Sequence, residues 1–143
     1  MRRTVVADTG AVISLVLSGL FGVCQNHFRI IIGEKIAEEL QEIALGDDEL
    51  GEAAKEALEL LKNNKADILI SDDIKFVKKH KNNEKISFSV ILFGILMERK
   101  IISKNEFLMA VNAMFGKRKW EENLIYLVAK NMLEDDYDTK LFQ

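Results

Sequence analysis

One carboxylate, Asp8, closes the β-branched apolar run Thr4-Val5-Val6-Ala7, and Thr9, Gly10 and a new apolar pattern, Ala11-Val12-Ile13, follow at once. This predicts a buried first strand that delivers an acid to its C-terminal end, where open α/β sheets bind ligands. Burying a carboxylate is costly unless a metal ion, an Arg or a Lys meets it. Other acids recur at equivalent places. Asp73 follows the third apolar run, and Glu39 lies beside Glu38 on the helix after the second. Glu38 and Glu39 point about 100° apart, so at most one faces the strand ends. Glu39 lies three residues from Ile36 and next to Leu40, which mark the buried stripe. Glu52 opens the next helix after Gly51, with Glu56 one turn later on the same face. Hard oxygen ligands without Cys or His suit Mg²⁺ or Mn²⁺. Such ions generate hydroxide from bound water and stabilise the leaving oxygen in phosphodiester cleavage. Singly, Glu38 and Glu39 also read as surface acids, Glu52 as a helix-dipole residue and Asp73 as an N-cap. Asp8 has no such alternative.

The elements that must position these acids alternate. Residues 3–7, 28–32 and 67–71 read as strands, and 86–88 as a fourth, short one. Helical spacing covers 10–18, a short turn at 19–25, then 34–44 and 50–63. Asp72 or Asp73 caps a helix that runs to about His80. Val90–Met97 is almost wholly apolar and reads as a buried helix. Lys104–Phe115 and Trp120–Met132 are amphipathic, with Gly116-Lys117-Arg118-Lys119 as a basic turn between them. Strands alternating with helices predict a three-layer α/β/α fold around a central parallel sheet of about four strands. One domain is expected over residues 1–133, including a helical hairpin at 103–133, with an acidic tail at 134–143.

Composition narrows the function. The 143 residues are 48% hydrophobic and 30% charged, which suits a packed core and not disorder. A net charge of −3 argues against a broad electrostatic grip on a nucleic-acid duplex. Cys24 is the only cysteine, so no internal disulfide forms and a reducing, cytoplasmic setting is expected. With only His27 and His80 beside it, a structural zinc site is not expected. Asp8 and three glycines interrupt the stretch that would otherwise imitate a signal peptide, and it is too short and broken for a membrane span. No Gly-x-Gly or Gly-Lys-Ser/Thr motif is present, which removes dinucleotide and P-loop enzymes. A receiver-like phosphoacceptor would open with its acidic pair, whereas here the pair sits midway. A DNA-binding reading of 104–133 lacks a basic recognition helix.

The chain resembles the PIN domains, small nucleases that include the toxins of toxin–antitoxin pairs. Val5-Val6-Ala7-Asp8-Thr9-Gly10-Ala11-Val12-Ile13 is similar to the family's opening strand and turn. Ile30–Leu40 resembles its strand-to-helix passage, which assigns Glu39. Leu50–Ala57 resembles its Gly-Glu helix start, which gives Glu52, with Glu56 as the alternative. Asp67–Asp73 resembles the strand ending in Thr/Ser-x-Asp, which assigns Asp73. The later helices are similar to an archaeal and bacterial branch, so the resemblance covers about residues 3–133. The chain departs from that branch at Gly33, where many relatives carry Pro, and at Phe88-Ser89, where Gly-Thr is frequent.

The resemblance implies a Mg²⁺- or Mn²⁺-dependent endoribonuclease that cleaves single-stranded RNA. Asp8, Glu39, Glu52 and Asp73 would be its ligands, with Thr9 or Ser71 steadying a ligand or a water. It also implies a homodimer, often held by a small antitoxin protein. The alternative is a catalytically degenerate PIN module that scaffolds RNA or a protein partner. Lys75, Lys78, Lys79 and Lys81 offer a basic run that could hold RNA phosphates, or simply a solvated helix face. Phe115 and Trp120 read as core residues, and His27 and His80 as surface or structural ones.

Overall fold

The computed structural model describes residues 2–32 and 66–134. The helices expected at 34–44 and 50–63, with Glu38, Glu39, Glu52 and Glu56, lie outside the described residues, as does nearly all of the acidic tail. Four strands, β1 (Arg3–Ala7), β2 (Phe28–Ile31), β3 (Ile68–Ile70) and β4 (Ile86–Ser87), form one all-parallel sheet in the order β2-β1-β3-β4. β1 is central: Val5 lies opposite both Ile30 and Ile68.

Successive residues of a strand point to opposite faces, so a strand buried on both faces has no polar position to spare. Val5, Val6 and Ala7 are all fully buried. Val6 packs with Leu69, Ile86 and Ala66 on one face, against Phe76 of the helix α3 (Ile74–Lys79). Val5, Ala7 and Ile70 belong to the larger core on the other face. There they meet α1 (Thr9–Ser18), α4 (Val90–Glu98), α5 (Lys104–Arg118) and α6 (Leu124–Glu134). Helices thus cover both faces, and the fold is the three-layer α/β arrangement. α4 is buried around most of its girth, as its uniform apolarity requires. A short helix, α2 (Phe21–His27), leads into β2 where only a turn at 19–25 was expected. No single described helix is long and apolar enough to cross a membrane.

Two boundaries differ from the sequence pattern, and both differences affect the site. Gly116, Lys117 and Arg118 are not a turn; they are the last residues of α5. The left-handed position that ends the helix is taken by Lys119, at φ 56°. Trp120 N–H donates to the Phe115 carbonyl (3.0 Å) and Lys119 N–H to that of Gly116 (3.2 Å). This is a Schellman closure, and the Phe115 and Trp120 rings meet edge-on at 5.2 Å across it. Trp120 therefore belongs to the cap of α5. α6 begins only at Leu124, where the Asn123 side chain accepts from Tyr126 N–H (3.1 Å). A lysine pays a steric penalty at φ 56° that glycine does not. Lys119→Gly is therefore expected to raise stability by roughly 0.5–1 kcal/mol in urea unfolding. A loss would show that the Lys119 side chain holds the turn by contacts of its own.

Candidate active site

Because every strand is parallel, all C-terminal ends lie along one edge of the sheet. The chain leaves β1 toward β2 on one side and resumes at β3 on the other. The β1–β3 boundary is therefore the topological switch point, the place where α/β sheets open a crevice. Asp8 follows β1 and Ser71-Asp72-Asp73 follows β3, so these four residues are brought to the strand ends beside this crevice. Asp8 N–H donates to the Ile70 carbonyl (3.2 Å), which fixes one loop against the other.

Asp8 is the N-cap of α1: its Oδ1 accepts from Ala11 N–H at 2.9 Å. The Ser71 hydroxyl bonds to the same carboxylate. Burial pushes the Asp8 carboxyl up to about 6, opposed by the Ser71 and Ala11 hydrogen bonds and reinforced by repulsion from Asp72 and Asp73. Asp73 lies on the exposed side. It caps α3, with Oδ1 accepting from Phe76 N–H (3.2 Å), and its own N–H donates to Ser71 Oγ (3.2 Å). Ser71 thus touches both acids assigned from the sequence. Thr9 is fully buried at the start of α1.

Asp72 was missed by sequence reasoning except as a candidate cap, and it does not cap the helix. It points inward, where Oδ1 accepts from Ser89 N–H (2.9 Å) and Oδ2 from Ser89 Oγ (2.7 Å). Burial raises its pKa; the Ser14 and Ser89 hydrogen bonds and the charge of Arg118 work against that rise. Most of its acceptor capacity is therefore spent inside the protein. Strand alternation carried the signal. Asp72 lies two residues beyond Ile70, so it shares the face that packs on the large core.

Arg118 is the second residue missed, read from sequence as part of a turn. The extra helical residues of α5 carry it back over α1, and the two helices pack along each other. Its Nη1 donates to the Gly10 carbonyl (2.9 Å) and to Ser14 Oγ. Its guanidinium lies over the Trp120 ring, 4.2 Å from the centroid. Burial lowers its pKa, while Asp72 and Asp8 raise it, and it stays a cation.

The basic run divides. β3 and β4 are parallel, so residues 71–85 must cross from the C-terminal edge to the opposite one. Lys75 lies two residues beyond Asp73, in the first turn of α3. Lys78, Lys79 and Lys81 are carried toward the far edge, and all four lysines are exposed. His80 packs against Phe76, with ring centroids 4.8 Å apart, away from the acids.

Among the described residues, no group of three or more His, Cys, Asp or Glu side chains is placed to hold a metal ion. Asp8 feels the charge of Asp73, a repulsion of the kind that a divalent cation held between hard oxygens would relieve. That pair fits Mg²⁺ or Mn²⁺ as part of a ligand set, with the rest to come from other oxygens. No protein-family model, curated protein or solved structure matches this chain.

Proposed function

We propose that the chain is a metal-dependent endoribonuclease of the PIN type, the toxin of a toxin–antitoxin pair acting on single-stranded RNA. The observation that carries this reading is the position of Asp8. It is a mostly buried carboxylate, raised by burial and by two neighbouring acids, at the switch point of a parallel sheet. Perturbed acids in clefts are candidates for functional groups. Asp8 and Asp73 would hold Mg²⁺ or Mn²⁺, with Glu39 and Glu52, or Glu56, taken from the sequence alone. When bound, the ion supplies an acidified water and neutralises charge that builds on the phosphate. The protein's own contribution is orientation. Ala11 N–H and the Ser71 hydroxyl fix Asp8, and Ser71 also ties Asp8 to the backbone of Asp73. Homodimerisation, an antitoxin partner and a cytoplasmic setting belong to the same proposal.

One observation favours the second reading, a degenerate PIN module. Arg118 already brings positive charge to Asp8 and Asp72. The two readings part in a cleavage assay on single-stranded RNA with Mn²⁺. Asp8→Asn is expected to slow cleavage by at least about a hundredfold, the scale of losing one preorganised electrostatic group. Equal cleavage by a folded Asp8→Asn protein would sink the site assignment.

A further inference from the structure

Arg118 is fixed more firmly than a counter-charge requires. Nη1 is anchored at Gly10 and Ser14, and the guanidinium carbon stands 4.2 Å from the centre of the Trp120 ring. Among the described residues, no acceptor is hydrogen-bonded to its Nε or Nη2. Gly10 lies between the two charges. A Cβ built there would sit 3.8 Å from Asp8 Oδ1 and 4.0 Å from Arg118 Nη2. Asp8 and Arg118 therefore stand no more than about 8 Å apart across a residue with no side chain. An acceptor-only group and a planar donor edge thus flank Gly10 from either side. A phosphodiester suits that donor edge, because its oxygens match the fork of an arginine.

Resting on the nuclease reading, we propose that Arg118 binds the RNA phosphodiester at this site, giving its Nε–Nη2 edge to a non-bridging oxygen while Asp8 serves the cation side. The assignment extends the Asp8–Asp73 site with a residue from the end of α5. A lysine keeps the charge but presents its donors from one nitrogen, without the planar fork that reaches Gly10, Ser14 and a phosphate oxygen from separate atoms.

The test is steady-state cleavage of a single-stranded oligoribonucleotide by wild type and Arg118→Lys, with Mn²⁺ affinity measured on both. The expected result is a fall in kcat/KM of about tenfold or more, with Mn²⁺ affinity unchanged. Unchanged kcat/KM in a folded Arg118→Lys protein would overturn the proposal. If that variant does not fold, the wild type decides. Adding the same oligonucleotide with Mg²⁺ is expected to shift the Arg118 Nε–H resonance, and a resonance that stays put would overturn the proposal. If the wild type neither binds Mn²⁺ nor cleaves, the nuclease reading fails by itself. Titration with inorganic phosphate, followed at the same resonance, then decides the anion site separately.

Discussion

Arg118→Met is expected to destabilise the protein by about 3 kcal/mol in urea unfolding at neutral pH, toward the lower end of the cost of stripping a buried carboxylate of its cation. The residue most affected is Asp72, buried between α1 and the start of α4, beside Ser14 and Ser89. Those hydroxyls remain in the variant, which keeps the loss from being larger. The same substitution also removes the bond to the Gly10 carbonyl and the cation over Trp120. The effect should depend on Asp72. Converting Asp72 to Asn in the Arg118→Met background is expected to recover part of the loss, with a coupling of roughly 1–3 kcal/mol between the two sites. The loss should also shrink in acid, where Asp72 takes up a proton and no longer needs a cation. A loss below about 1 kcal/mol would mean that Arg118 behaves as a surface charge, worth little by itself.

Asp8→Asn is expected to have the opposite sign. The folded protein holds the Asp8 proton up to about 6, against an ordinary value of 3.8. Below pH 3.8 both folded and unfolded chains are protonated, and Asp8 does not distinguish them. Between the two values the unfolded chain ionises first, so wild-type stability falls as pH rises through this window. Above 6 the full cost is present. The carboxylate is not wholly covered, so the cost at pH 7.5 is discounted to about 1–2 kcal/mol. Asparagine still caps the helix through Ala11 N–H. The variant should thus be more stable than wild type at pH 7.5, with the difference fading by about pH 4. Equal stability at both pH values would mean that the hydrogen bonds from Ser71 and Ala11 offset the burial. A residue that costs stability is what a functional site requires, because selection keeps it for another reason.

The sequence exposes Asp8 because the strand before it is so apolar that the acid stands out. Asp73 is equally visible, since a capping aspartate follows an apolar run. Asp72 hides beside it. Two acids in succession read as one cap plus a spare, and only strand alternation shows that the spare points inward. Ser14 and Ser89 hide for a related reason: a serine in an apolar helix carries no mark until its acid is known. Arg118 is the hardest to see. It comes from more than a hundred residues away, and Gly116 suggests a helix end where none occurs. The left-handed position belongs to Lys119, a residue type that rarely takes it. Periodicity finds the layers and the sheet; it does not find partners that long-range packing brings together. Glu39 and Glu52 stand on the sequence alone, because they lie outside the described residues.

The most direct measurement is calorimetric titration of Mn²⁺ into the wild type and into Asp8→Asn at pH 7.5, where Asp8 is ionised. Saturable binding to the wild type at millimolar Mn²⁺ or below, lost in the variant, is the result expected of a carboxylate site built on Asp8. A folded wild type that gives no binding heat at millimolar Mn²⁺ would contradict it.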